Sequence, residues 1–145
     1  MQTNTNQRAP SSHQVGGTHY VSKVIQPWDF IIANDLSYLE GNIVKYCSRW
    51  RDKGGVQDLE KALQYFDKCL EIETDKRRFK ALNYYRFIGM SPDDYSRANS
   101  IGPEESEIIA AVTLWRNQGG LAELRAGRDR LARLIQSESL PTLTS

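Results

Sequence analysis

Two segments of helical period meet at Gly54-Gly55, and this junction limits the possible folds more than any other feature. Between Ser37 and Lys53, Leu39, Ile43, Tyr46, Cys47 and Trp50 recur at three- and four-residue spacing and line one helix face. From Val56 the period returns in Leu59, Ala62, Leu63, Phe66 and Leu70. Glycines suit a helix end because they reach backbone angles that side chains resist. The pattern therefore predicts an antiparallel helical hairpin over about 37–73. Ser37 with Glu40 three residues on reads as a capping box. Asp58 and Glu60 place negative charge at the positive end of the helix that starts near Val56.

The flanking sequence extends this plan. Residues 1–17, rich in Gln, Asn, Ser and Thr, read as a flexible polar arm. Pro27 stands at a first helical position, and a short helix carrying Trp28, Phe30, Ile31 and Ile32 should end near Asn34-Asp35. Phe79, Leu82, Tyr85 and Ile88 keep a helical spacing through Gly89, as an extension of the preceding helix or a new one from Asp75. Residues 90–102 (Ser, Pro, Asp, Asn, Gly) read as a connector. A C-terminal helical pair over 103–138 follows, broken at Gly119-Gly120, with Ile108, Ala111, Val112 and Trp115 on one stripe and Leu121, Leu124, Leu131, Leu134 and Ile135 on the other. Residues 139–145 form a tail. The expected fold is all-α, with a domain of residues 18–89 and a C-terminal pair that could support assembly into a homo-oligomer.

Composition narrows the function. No apolar run approaches the roughly 18 residues of a membrane helix, and the polar N-terminus lacks a signal core, so a cytoplasmic protein is expected. Nineteen basic and eighteen acidic side chains give a net charge of +1, which disfavours a globally basic nucleic-acid binder but leaves local patches open. Cys47 and Cys69 fall on apolar stripes and read as buried thiols, and with His13 and His19 they make no zinc spacing. Glycine-rich phosphate loops and paired Cys-x-x-Cys motifs are absent.

A polar line runs along the second helix. Asn42, Lys45, Arg49 and Lys53 share one side, suited either to a solvated face or to a row of phosphates. The next helix offers Asp58, Lys61 and Tyr65 at matching spacing. His19-Tyr20 precede the first helix, where the histidine suits a phosphate contact, proton donation or a structural role. A second basic cluster, Lys76, Arg77, Arg78, Lys80 and Arg86, interleaves with Phe79, Tyr84 and Tyr85; it reads as a solvated face or a partner contact, with single-stranded nucleic acid ranked below.

The run Thr18-His19-Tyr20, Gln26-Pro27-Trp28-Asp29, Gly41-Asn42, Lys45-Tyr46, Arg49, Lys53-Gly54, Asp58-Leu59, Lys61-Ala62 and Tyr65 resembles a family of small domains widespread in tailed phages, one that includes the T7-type phage nucleotide kinase. The resemblance covers about residues 18–73. It implies phosphoryl transfer from ATP or another nucleoside triphosphate to a deoxynucleoside monophosphate, without a Walker A loop, by a homo-oligomer in the cytoplasm of an infected host. By that analogy Lys45, Arg49 and Lys53 hold phosphates, Lys61 assists, and His19 contacts a phosphate or positions the acceptor. Tyr20 or Tyr65 would stack on a base, with Asn42 and Tyr46 beside the phosphates, and Asp58 or Asp29 would hold Mg²⁺. Two other functions compete: a nucleotide or signalling-nucleotide sponge using the same site, and a protein- or single-strand-binding factor using the 76–86 patch. A helical pyrophosphohydrolase ranks below these, because no Glu-x-x-Glu pair faces a second acidic cluster.

Overall fold

The computed structural model describes residues 24–75 and 85–140, and among these it contains six helices and no strand. They are α1 (Pro27–Ala33), α2 (Tyr38–Arg49), α3 (Val56–Thr74), α4 (Pro92–Ala98), α5 (Pro103–Leu114) and α6 (Gly120–Ser139). The all-α expectation holds, with α2 and α3 as the central hairpin. No described helix is long and apolar enough to cross a membrane.

Local signals set the helix starts. Ser37 Oγ accepts from the Glu40 backbone N–H at 3.2 Å, and Glu40 Oε1 accepts from the Ser37 N–H at 3.0 Å, completing the expected capping box. Pro27 opens α1. The turn after α2 needs both of its glycines. Gly55 has φ +60 and ψ −148, angles that a side chain resists, and its N–H donates to the Trp50 carbonyl at 2.7 Å. Gly54 lies so close to α3 that an added Cβ would stand 2.2 Å from the Asp58 carboxyl group.

Residues 90–102 are more than a connector, because they contain α4. Ser91, Pro92 and the acidic pair Asp93-Asp94 are a helix start, with Ser91 Oγ accepting from the Asp94 N–H at 3.3 Å. This helix carries Tyr95, which stacks on Phe30 at 4.4 Å and shares a 2.8 Å hydrogen bond with Ser48, so it closes the core over α1 and α2.

The helical period that reached Gly89 fails over its last residues, while 76–84 lie outside those described. Residues 85–90 are not helical, and α3 stops at Thr74. In this segment Tyr85 and Phe87 face out, while Arg86 is fully buried. Arg86 donates to the carbonyls of Asn34 and Asp35 and pairs with Glu40, whose Oε2 also accepts from Trp115 Nε1 at 2.8 Å. A buried pair of this kind fixes the geometry of the chain, since neither charge tolerates loss of its partner.

The C-terminal pair shares the hairpin's core. Helix α6 packs on α5 and α3, and α5 packs on α2. Ile108, Val112, Leu124 and Leu131 are buried in one cluster with Ile43, Leu59 and Phe66. The apolar stripes expected to serve assembly thus line the interior. Trp50 Nε1 and Arg51 Nε both donate to Glu105 Oε2, fastening the end of α2 to the start of α5.

Candidate functional site

The antiparallel hairpin brings the two polar lines together. Tyr38, Asn42, Tyr46 and Arg49 follow one face of α2, and Asp58, Lys61 and Tyr65 follow the facing side of α3. Late α2 therefore meets early α3, and early α2 meets mid α3. At the turn end, Arg49 Nε and Nη2 reach the two Asp58 carboxylate oxygens at 3.1 and 3.3 Å. Asp58 also accepts from the Gly54 N–H at 3.0 Å, and Lys61 Nζ stands 3.9 Å away. Both Arg49 and Asp58 are buried.

Above this pair lies an aromatic ladder backed by cations. The Arg49 guanidinium sits 4.7 Å from the Tyr46 ring centre, with Lys45 Nζ at 5.1 Å and Lys61 Nζ at 5.5 Å. Tyr46 stacks on Tyr65 at 6.0 Å and 21°, and Tyr65 meets Tyr38 edge-on at 6.0 Å and 76°. Each cation–π contact contributes about 0.5–1 kcal/mol at such a surface, and each ring pair about 0.5–1.5 kcal/mol. The ladder is therefore held in place before any ligand arrives. Tyr38, the outer rung, is 75% exposed.

The electrostatics favour an anion. Four cations, Lys45, Arg49, Lys53 and Lys61, surround one carboxylate, Asp58. Burial lowers the Lys45 pKa below the usual lysine range, the positive charges of Arg49, Lys53 and Lys61 push it the same way, and Asp58 opposes them. A bound phosphate would relieve that repulsion. On Tyr65, the hydrogen bond with Tyr38 leads the causes that raise the phenol pKa. Asn42 donates its amide NH₂ to the Tyr38 carbonyl at 2.8 Å, which turns its amide oxygen away from that bond.

The structure thus gathers Asn42, Lys45, Tyr46, Arg49, Asp58, Lys61 and Tyr65, with Lys53 in the turn beyond α2. It also separates their roles. Arg49 is an internal strut more than an open phosphate ligand, and Tyr46, covered by Arg49 and Tyr65, supports the ladder. Asp58 does not fit Mg²⁺, since its oxygens already accept from Arg49 and Gly54. Asp29 is exposed in the first turn of α1. No three His, Cys, Asp or Glu side chains among the described residues are grouped so as to hold a metal ion.

His19 and Tyr20 lie outside the described residues, as do Lys76, Arg77, Arg78, Lys80, Phe79 and Tyr84. Arg86, assigned to that second basic patch, is a core residue instead. Sequence reasoning missed Tyr38. Its signal was present, because Tyr38, Asn42 and Tyr46 are spaced by four, but an aromatic at a helix's first position reads as incidental.

Comparison with known proteins adds one finding. Residues 15–67 match the model of a family described as a protein of unknown function, DUF3310. The match spans α1, α2, the glycine turn and α3 as far as Asp67, and so includes every residue of the ladder and its cations. No curated protein and no solved structure matches the chain.

Proposed function

We propose that the α2–α3 face binds a nucleotide, with the base against Tyr38 and Tyr65 and the phosphates among Lys45, Lys53 and Lys61. The observation that carries this reading is the joining of an exposed aromatic rung to a cluster of cations with a single carboxylate among them. Stacking supplies a platform for any base, and ammonium groups neutralise phosphate oxygens. Arg49 and Asp58 hold the platform and set the field around it.

The reaction implied by the resemblance is phosphoryl transfer from a nucleoside triphosphate to a deoxynucleoside monophosphate. An acceptor phosphate oxygen would form a bond to the γ-phosphorus while the bond to the β-bridging oxygen breaks, giving two diphosphates. The acceptor needs no general base, because its second ionisation lies near pH 6 and its oxygen is already deprotonated at neutral pH. Lys45, Lys53 and Lys61 would offset the charge on the transferring group. The engagement of Asp58 with Arg49 favours a second reading, in which the same face binds nucleotide and releases it unchanged.

Purified protein mixed with ATP and each deoxynucleoside monophosphate, with Mg²⁺ or EDTA, separates the two by thin-layer chromatography. Diphosphate formed by the wild type and lost in Lys45→Ala supports the kinase. Saturable binding with intact nucleotide recovered supports sequestration. Absence of both would overturn the assignment of this face.

A further inference from the structure

Helix α1 borders the α2 face on the side away from α3, and it carries an exposed tryptophan. A Cβ added at Gly41 would stand 3.1 Å from Ile31 Cγ2, so α1 lies directly on this part of α2. Gly41 is three residues after Tyr38 and four before Lys45, and it neighbours both on the helix surface. The two helices are joined by residues 34–37 alone. Phe30 stacks on Tyr95, which shares a hydrogen bond with Ser48 in the second half of α2. Helix α1 therefore runs back along α2. Around α1, burial falls in angular order from Phe30 and Pro27, both buried, through Ile31, partly buried, to Trp28, which is 46% exposed. Around α2 the same order runs from Ser48 and Gly41, both buried, to Lys45, partly exposed, and Tyr38, exposed. Trp28 and Lys45 thus emerge on adjoining sides of the α1–α2 seam.

We infer that Trp28 stacks on the base of a second nucleotide, so that this face holds two nucleosides whose phosphates meet at Lys45. The inference rests on the reading of the face as a base-and-phosphate site, and it names where the second substrate of that reading sits. The alternative, a clasp of Trp28 and Tyr38 on one base, does not suit the geometry. Seven residues, about 10 Å of rise, separate Tyr38 from Lys45, and Trp28 stands one helix spacing to the side, about 8–10 Å. Side chains lean toward the N-terminus of their own helix. Because α1 and α2 run in opposite directions, Trp28 and Tyr38 lean apart. The space between the two aromatic platforms belongs to Lys45, an ammonium group suited to phosphate oxygens contributed from either side. In phosphoryl transfer one platform holds the donor and the other the acceptor. A single ligand with two bases joined by a phosphate chain meets the same contacts.

Intrinsic fluorescence of the full-length protein tests this, because Trp28 is the exposed one of three tryptophans, Trp50 and Trp115 being buried. Acrylamide should quench the wild type, and saturating diadenosine pentaphosphate should protect it. Trp28→Phe should show little quenching from the start. By isothermal titration, diadenosine pentaphosphate should bind at least about tenfold more tightly than ATP or dTMP, as linked contacts do. Trp28→Ala should weaken the two-base ligand by about fivefold or more and leave dTMP nearly unchanged, while Trp28→Phe, which keeps a ring, should retain most of the affinity. If diadenosine pentaphosphate binds no more tightly than ATP and leaves the quenching unchanged while dTMP still binds, the second platform fails and the nucleotide reading stands. If none of these ligands binds, both fail. Equal weakening of dTMP and of the two-base ligand by Trp28→Ala would put Trp28 beside the first base and overturn the inference. Quenching that falls with protein concentration alone would make Trp28 a contact between copies and overturn it as well.

Discussion

Replacing Asp58 with alanine separates a structural carboxylate from a metal ligand. Asp58 is 1% exposed on its side chain and accepts from Arg49 at 3.1 Å, while Arg49 is 10% exposed. Removing the carboxylate takes from the buried guanidinium both of its bonds to Asp58 and leaves the Gly54 N–H without its acceptor. Breaking a buried pair from one side costs about 3–5 kcal/mol. For a chain of 145 residues, at roughly 3–4 °C per kcal/mol, this lowers Tm by about 9–20 °C. Far-UV circular dichroism melts in EDTA would measure it, with no metal in play. Asp58→Asn, which keeps the shape and one acceptor oxygen, should lose clearly less. In an Arg49→Met background the Asp58→Ala change should add less than it costs alone, because the bonds between the two side chains are already gone. An Asp58→Ala melt in EDTA within about 2 °C of wild type would refute the argument, and an Mg²⁺-induced rise in Tm present in wild type but absent in the variant would return Asp58 to the role of metal ligand.

Arg86→Ala should destabilise by about 3 kcal/mol in urea denaturation, since it removes the nearest counter-charge of the buried Glu40 and leaves it only Arg116, 4.0 Å away, whereas a surface basic residue would change stability by about 0.5 kcal/mol or less. Burial pushes the Glu40 carboxyl upward, but Arg86 and the hydrogen bonds from Ser37, Arg86 and Trp115 outweigh it and hold its pKa below the ordinary 4.5. A depressed carboxylate stabilises the fold above the unfolded value and loses that contribution as pH falls toward the folded value, so stability should decline below about pH 4.5, and Glu40→Gln should flatten this acid limb. Burial raises both thiols, Cys69 to about 12 and Cys47 further, so neither should react with Ellman's reagent at pH 8 until the protein is unfolded.

The hairpin was legible in the sequence because its signals are local and agree with one another. Ser37 and Glu40 mark the start, Gly54-Gly55 mark the turn, and two apolar stripes fix which faces meet. That register also brought Arg49, Lys61 and Tyr65 together, since antiparallel pairing follows from the turn. Helix α4 was hidden because Ser91-Pro92-Asp93-Asp94 is composed of residues that break helices in their interior and start them at their first turn, and composition alone does not separate these uses. The fate of Arg86 was not readable, because its partner Glu40 lies 46 residues away and a basic residue beside Lys76 to Lys80 reads as one more surface charge. Spacing likewise put Asp58 on the site's face, but whether its carboxylate was open or tied to Arg49 depended on the depth of the turn, which only the packing of Gly54 against α3 decides.

The central claim, that the α2–α3 face is a base-and-phosphate site, is tested most directly by isothermal titration of a deoxynucleoside monophosphate and of ATP into the wild-type protein and into Tyr38→Ala and Lys45→Ala. Both side chains reach the surface, so the variants should melt within about 2 °C of wild type. The account predicts saturable binding by the wild type, weakened about tenfold or more by Tyr38→Ala and lost in Lys45→Ala. Binding left unchanged by both substitutions, or no binding by the folded wild type, would contradict it.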